Sequence, residues 1–493
     1  MRSASSERIP EQTKTPKQEI APSITTKLIV AAIDFGTTYS GYAYSLKHDF
    51  DKDPFRIYAN KGPDGGQEKM PTTIIFTPDG KFHSFGHEAE KKYAKLAEDA
   101  KHVDLFYFSR FKMKLHTQQK IRRQMELIDD RGHKMRAMKV FAEAIKYLKS
   151  QLLNSLEAAD SDINDTDIHW VITVPAIWDD GAKQFMREAG KQAGIPDNQL
   201  NFALEPEAAA IYCKNMSMKK DGTSLEPGTQ FILADLGGGT VDITVHAIDM
   251  SGNLIELHPP SGGPWGGTKV DAEFNTLLET IYGKSVISSF NKNNKDDVLY
   301  MMQDFENKKR EFKAEDDEVT FRVLCTLIEA LKNSGRTLEE NVSGTIYEGK
   351  VKQKGDKMRI EGSIMAGLFY DVERNIIQLI RDVLTQHPKV NKILMVGGFS
   401  ESNIIQQAVK KAFPKKIIIP EQARLAVLKG AVMYGHNLSV IISRSSPYTY
   451  GISVAVPFEF SKHPESKKVY KDGSYKCESN FKVFYPSWRN GCS

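Results

Sequence analysis

Leu28-Ile-Val-Ala-Ala-Ile33, closed by Asp34-Phe-Gly36-Thr37-Thr38-Tyr39, is the stretch on which the fold turns. Six apolar residues in a row suit a strand buried on both faces, and the Asp-Phe-Gly that follows suits a tight turn at its end. Gly41-Tyr-Ala-Tyr44 then reads as the returning strand of a hairpin. About 200 positions on, the pattern repeats: Gln230-Phe-Ile-Leu-Ala234 runs into Asp235-Leu236-Gly237-Gly238-Gly239-Thr240, and Val241-Asp242-Ile-Thr-Val-His246 alternates as the next strand. So long a period does not fit a solenoid, whose units are a few tens of residues. It fits two similar lobes, each opening with a strand, a polar turn and a strand.

Working outward, Trp170-Val-Ile-Thr-Val-Pro175 is a further strand, and helical spacing marks Ala182 to Ala193 and Glu207 to Tyr212. Phe141 to Leu156 and Val372 to Leu384 carry apolar residues at helical intervals and read as core-facing helices. Lys392-Ile-Leu-Met-Val396 is another buried strand, ended by Gly397-Gly398, and Gln422 to His436 reads as a helix after Pro420. Strands mixed with helices make this an α/β chain. The expected organisation is a disordered leader over residues 1–27, a first lobe over 28–212, a second over 213–440 with a returning helix, and a short β-like segment over 441–493 that includes Tyr450 to Val456.

At 493 residues with 40% hydrophobic composition the chain can bury the cores of two or three domains. Sixty-seven Lys and Arg against 63 Asp and Glu leave a net charge of +4, too small an excess to suggest a dedicated binder of nucleic acid or anionic membranes. Cys213, Cys325, Cys477 and Cys492 form no CxxC pair, which suits free thiols in a reducing compartment. The leader has no apolar block to act as a signal peptide, and the Leu28–Ile33 run is far short of the roughly 20 residues that span a bilayer. Sequons at Asn164, Asn215, Asn341 and Asn437 then read as chance occurrences.

Phosphates need positive dipoles at close range, and glycine lets backbone N–H groups approach because no Cβ intervenes. Gly36 permits the first turn, Thr37 and Thr38 supply hydroxyl donors, and Asp34 at the strand end can hold magnesium through water. Asp235 with Gly237, Gly238, Gly239 and Thr240 repeats the arrangement. Either turn alone is an ordinary hairpin signal; the pair points to phosphates held between two lobes. No G-x-x-x-x-G-K-[ST] is present, so the phosphates are not cradled as in a P-loop. A third Gly-rich turn, Gly262-Gly263-Pro264-Trp265-Gly266-Gly267, is placed to cover the same phosphates, and Gly397-Gly398 to lie near a base or ribose. On a helix, Glu306, Lys309 and Arg310 share one side, able to bond ribose hydroxyls and stack a guanidinium on a base.

The two phosphate hairpins, Ile172-Thr-Val-Pro175, Glu205-Pro-Glu-Ala-Ala-Ala-Ile211, the Phe305-Glu-x-x-Lys-Arg310 helix and Val396-Gly-Gly398 stand in the order found in the seventy-kilodalton heat-shock protein family, which the chain resembles over roughly residues 28–440. Phe82-His-Ser-Phe-Gly86, Phe111-Lys-Met-Lys-Leu-His116, Trp170 to Trp178, Lys183-Gln-Phe-Met-Arg-Glu-Ala189 and Ser446-Pro-Tyr-Thr-Tyr-Gly451 resemble its divergent 12-type branch, 12A and 12B. The resemblance implies an actin-like ATPase (ribonuclease H-like) fold, two lobes around a cleft holding ATP or ADP with Mg2+. It implies that Asp34 and Asp235 flank the metal and that Thr37, Thr38, Tyr39 and Gly237 to Thr240 contact phosphate. Glu205 and Asp242, with Thr240, would attend the attacking water, as orientation and general-base catalysis require. Gly266 and Gly267 would close over the phosphates, and Glu306, Lys309, Arg310, Gly397 and Gly398 would hold the nucleoside.

Three departures from the family pattern stand out. Where the family has a phosphate-contacting lysine, Phe85-Gly-His-Glu-Ala89 leads to Glu90, with Lys91 next, so slow hydrolysis is expected. Phe399-Ser-Glu401 replaces Ser, a small residue and Arg, altering the adenine pocket. Thr449-Tyr-Gly-Ile452 resembles the opening strand of a peptide-binding sandwich, but no full sandwich or helical lid follows within these residues. The implied function is an ATP-binding, chaperone-like protein of the cytoplasm, with the nucleus as a further compartment, working with protein clients or co-chaperones. A non-catalytic ATP-dependent scaffold and, less well supported, an actin-fold sugar kinase are the alternatives; client, oligomeric state and the importance of hydrolysis stay open.

Overall fold

Why the two hairpins lie at equivalent places is visible in the sheets they build. The computed structural model describes residues 27–60, 68–117, 123–129, 131–158, 163–217, 225–444 and 449–485. Nearly all of the expected leader, Cys492 and the Ser446-Pro-Tyr part of the 12-type signature lie outside them. Ile29–Phe35 pairs antiparallel with Tyr39–Leu46 on one side and parallel with Ile168–Val174 on the other, and Leu200–Leu204 extends the sheet. Gln230–Leu236 repeats this, antiparallel to Val241–Ile248 and parallel to Lys392–Val396, with Leu254–Gly263 beyond. Parallel pairing demands a long crossover and leaves both faces covered, so these central strands are apolar without alternation.

Each face of the first central strand feeds a different core. Ile29, Ala31 and Ile33 point toward Phe141, Trp170 and Phe185, while Val30 and Ala32 point the other way, into a core shared with Phe231, Leu233 and Leu394 of the second sheet. Helices Glu205–Ser217 and Ala426–His436 lie in that shared core and bring Ala208, Ala209, Ala210 and Ala431 together. Their closeness depends on Gly430, where any Cβ would run into the Ala208 carbonyl. A third core gathers around Phe274, Phe305 and Phe321, with Phe274 and Phe305 stacked 3.9 Å apart. Burying side chains of this size contributes about 1.5–3 kcal/mol each.

The expected helices form with modest changes of extent: Ala137–Glu157, Asp180–Gln192 and Tyr370–Gln386. Asp179 caps the second, its carboxylate accepting from the Ala182 N–H at 2.8 Å. Three readings change. The helix expected over Glu207 to Tyr212 extends at both ends, over Glu205–Ser217. The helix expected from Gln422 starts as a 3-10 turn at Ala423–Leu425 and becomes α-helical only over Ala426–His436. Gly262 and Gly263 belong to the strand Leu254–Gly263, paired with Asp242 and Val241, so the third Gly-rich turn shrinks to Pro264–Gly266. Beyond residue 449, Tyr450–Pro457, Lys468–Lys471 and Ser474–Tyr485 make a three-stranded antiparallel sheet. No helix among the described residues is long and apolar enough to cross a membrane.

Candidate functional site

Because Asp34 and Asp235 are each the second-last residue of a central strand, both carboxyls emerge at the same end of their sheets, and the two turns meet there. Gly238 packs on the Thr38 side chain, and Gly239 on Thr37 and Met113. Between them opens a cavity of about 380 Å³, lined at this end by Asp34, Thr37, Thr38, Glu205, Asp235 and Gly237 to Thr240.

Four carboxyls crowd this end, and two lysines answer them. Lys69 lies 2.5 Å from Asp34, which also accepts from the Thr173 hydroxyl at 2.8 Å; Lys112 lies 2.6 Å from Glu205. Burial pushes the Asp34 carboxyl up, but Lys69 and Lys112 outweigh it and hold the group below its ordinary value. For Glu205, burial prevails over Lys112 and the group is raised. Asp235 is raised well above the ordinary range by burial and by the negative neighbours Glu205, Asp242 and Asp34. Asp242 is pushed up to about 7, again by burial and then by Glu205. It accepts from the Thr240 hydroxyl at 2.9 Å through one oxygen, while the other is buried without a partner. Among the described residues no three His, Cys, Asp or Glu side chains are placed to hold a bare metal ion.

At the other end, helix Lys295–Glu311 presents the predicted trio, already interlinked. Glu306 lies 2.5 Å from Lys309 and 2.7 Å from Arg310. Lys309, buried, turns to Asp271 at 2.5 Å and the Gly267 carbonyl at 3.3 Å, and Asp271 pairs with Arg110 at 2.7 Å. The Arg310 guanidinium lies 4.9 Å from the Tyr39 ring centre. Arg424 reaches Glu68 at 2.7 Å, tying the C-terminal half to the N-terminal half at the cleft rim. Gly397 has φ +85°, a left-handed conformation that glycine adopts without strain, and any side chain there would strike Asp235 and the Leu236 carbonyl.

Of the residues expected at the site, all line the cavity except Asp242 and Gly266. Asp242 stands behind Thr240, and Gly266 is pressed onto the second turn, its N–H donating to the Gly239 carbonyl at 3.3 Å. Lys69, Lys112, Glu68 and Arg424 line it too, and sequence reasoning did not name them as site residues; Glu401, expected at the adenine pocket, lines it as well. Lys112 stood in the quoted Phe111-Lys-Met-Lys-Leu-His116 segment, but nothing local marks it as facing a carboxylate 93 positions away.

Glu90 does not line the cavity, although its charge is felt at Tyr39, which does. Its carboxylate sits outside the cavity, accepting from Thr73 and from Gln303 at 3.4 Å each. Lys91 lies away from the cavity, beside His87, Lys92 and Lys95. Helix Gly86–Glu98 packs on helix Lys295–Glu311, and among the described residues the lysines at the four-carboxyl end are Lys69 and Lys112.

The family profile described as Hsp70 protein matches residues 30–457. Heat shock 70 kDa protein 12A of Mus musculus is 37% identical over an alignment covering 93% of this chain and 77% of its own length. The Homo sapiens 12A protein is 36% identical, covering 93% and 76%, and the Homo sapiens 12B protein 32% identical, covering 96% and 78%.

Proposed function

Because the chain belongs to the Hsp70 family, whose actin-like ATPase fold it carries, we propose that it binds magnesium–ATP in the cleft between its halves and hydrolyses it to ADP and phosphate. The observation that carries this is the charge at the junction of the two turns: four carboxyls, Asp34, Glu205, Asp235 and Asp242, against two lysines, Lys69 and Lys112, among the described residues. An excess of buried carboxyl groups, three of them raised by burial and then by their negative neighbours, fits a divalent cation that would relieve it. Magnesium keeps several waters and is commonly held by one or two carboxylates plus substrate phosphates, so it needs no closed cluster of protein ligands, and none is found among the described residues.

Asp34 and Asp235 would hold the ion through its waters, and when bound it would neutralise charge on the phosphate oxygens. The backbone N–H groups of the two turns and the hydroxyls of Thr37 and Thr38 suit phosphate oxygens. Glu205, held by Lys112, and Asp242, held by Thr240, are the groups to orient a water for attack on the terminal phosphorus and accept its proton as the bond to the bridging oxygen breaks. Lys112 and Lys69 supply fixed positive charge for the transferred group.

The reading extends to lobe closure sensed beyond residue 440. Glu207, two residues after Glu205 on the same helix, is gripped by Arg444 through two hydrogen bonds of 2.6 and 2.9 Å. A shift of that helix on nucleotide binding would be felt at Arg444, just ahead of the C-terminal sheet, where protein clients or co-chaperones would read it. Cytoplasm, with the nucleus as a second compartment, is the proposed location, supported by Cys213, Cys325 and Cys477, which form no disulfide among the described residues.

Titration calorimetry with ATP, with and without Mg2+, tests the binding, and single-turnover hydrolysis tests the chemistry. Asp34→Asn and Asp235→Asn should each weaken magnesium-dependent binding while leaving the fold intact. Parent-like binding by both would sink the assignment. Binding without turnover in the parent would instead identify a non-catalytic, nucleotide-dependent scaffold.

A further inference from the structure

At the cleft end away from the four carboxyls, the 3-10 turn Gly398–Glu401 and the start of helix Asn403–Ala412 bring Phe399, Glu401 and Ser402 to the cavity shared with Tyr39 and Arg310. Ser402 is only 6% exposed. It occupies the N-cap position of its helix yet makes no capping hydrogen bond, and its Oγ is buried without a partner. A hydroxyl removed from water with nothing to bond is destabilising, and a ligand atom at the right place would relieve it. Glu401 is exposed to the cleft, and its one hydrogen bond among the described residues is a long 3.3 Å contact from the Arg424 N–H to Oε1. Its charge is felt at Arg310, whose guanidinium can stack on a flat ring.

A carboxylate can only accept hydrogen bonds, whereas a hydroxyl can also donate. Resting on the nucleotide reading above, we propose that Glu401 and Ser402 select the base of the bound nucleotide: Glu401 accepts from the exocyclic amine of adenine, and the Ser402 hydroxyl donates to the ring nitrogen beside it. A base carrying a carbonyl in place of that amine would set its oxygen against the carboxylate. Hypoxanthine is such a base, close to adenine in size and stacking surface, but its ring nitrogen beside the carbonyl carries a proton and so loses the Ser402 contact as well; unsubstituted purine keeps that nitrogen as an acceptor and isolates the amine contact.

The test measures magnesium-dependent affinity of the whole chain for ATP, for inosine triphosphate, and for purine riboside triphosphate, which has neither amine nor carbonyl at that position. The parent should prefer ATP to purine riboside triphosphate by about tenfold and to inosine triphosphate by more, as loss of a hydrogen bond to a charged group, and then repulsion, require. Glu401→Ala should shrink the ATP-to-inosine ratio to within about threefold. Glu401→Gln, whose amide can turn its NH2 toward a carbonyl, should bind inosine triphosphate better than the parent does. Equal affinities in the parent, or a ratio that Glu401→Ala leaves unchanged, would overturn the proposal while leaving nucleotide binding in place. Failure of the parent to bind any of the three would overturn the nucleotide reading itself, and this proposal with it.

Discussion

Lys112 places its Nζ 2.6 Å from the Glu205 carboxylate, with the two side chains only 5% and 12% exposed. The lysine also lies 5.3 Å from the Trp178 ring centre, so its position is fixed by packing as well as by charge. Burial and the nearby Asp34 raise Glu205, and Lys112 is the largest influence acting to keep it ionised. Lys112→Met should therefore cost hydrolysis twice, by removing a cation from the transferred phosphoryl group and by driving Glu205 toward its protonated form. A drop of about 100-fold in single-turnover rate is expected, with ATP affinity falling much less. Unaltered turnover would show that Lys112 is only a structural counter-ion.

Glu90 and Lys91 give the opposite expectation. Glu90 is engaged with Thr73 and Gln303, and Lys91 sits among His87, Lys92 and Lys95, so neither charge faces the phosphate end. Glu90→Lys and Lys91→Ala should each leave single-turnover hydrolysis within about twofold of the parent, since neither side chain lines the cavity and Glu90 is held by Thr73 and Gln303. A rise of tenfold or more in Glu90→Lys would restore Glu90 to the chemistry.

Much of the site was legible because it is local. Asp34 and Gly36 to Tyr39 follow one apolar run and Asp235 to Thr240 another, and a strand that ends in a polar turn displays that turn at the sheet's edge wherever the sheet sits. The nucleoside trio was legible for a similar reason, since Glu306, Lys309 and Arg310 need only helical geometry to converge. Lys69 and Lys112 were not, because each meets its carboxylate only through tertiary structure: Asp34 lies 35 positions from Lys69 and Glu205 lies 93 from Lys112. The same limit misplaced Glu90, assigned from a neighbouring motif although helix packing turns it toward Gln303. Gly262 and Gly263 read as a turn because glycine is poor in strands, yet they pair with Asp242 and Val241, and Gly262 comes so close to the Val241 backbone that a Cβ would clash.

Acidity offers a third test through Asp242, pushed up to about 7 by burial and by Glu205. Its ordinary value in an unfolded chain is near 3.8, so between those limits the folded protein binds more protons than the unfolded one. On this account stability is highest at low pH, falls as pH rises through the window from about 4 to 7, and stays lower above it; Asp235, also raised, acts in the same direction. Asp242→Asn removes the ionisation while keeping an acceptor for Thr240. Without nucleotide, the variant's melting temperature relative to the parent should rise between pH 5 and pH 8 by a few degrees, on the order expected for 1–2 kcal/mol. Parallel profiles would contradict the assignment, and the variant should in any case lose hydrolysis if Asp242 orients the water.

Two glycines at the cleft separate a structural requirement from a ligand requirement. The segment Gly266 to Thr268 is joined to the second turn by three backbone hydrogen bonds, Gly266 N–H to the Gly239 carbonyl at 3.3 Å, Gly267 N–H to Gly237 at 3.2 Å and Thr268 N–H to Gly238 at 2.7 Å. A Cβ on Gly266 would stand 2.6 Å from backbone atoms of Gly238 and Gly239, which have no side-chain freedom with which to give way. Gly266→Ala should thus part the two loops, lowering stability by about 1–3 kcal/mol and weakening nucleotide binding together. Gly398 borders the same cavity, but a Cβ there would meet no atom within 4 Å. Gly398→Ala should melt with the parent, within about 0.5 kcal/mol, and yet bind ATP several-fold more weakly, because the added methyl stands where a nucleoside would approach the backbone. If Gly398→Ala binds ATP as the parent does, the nucleoside does not lie against Gly398.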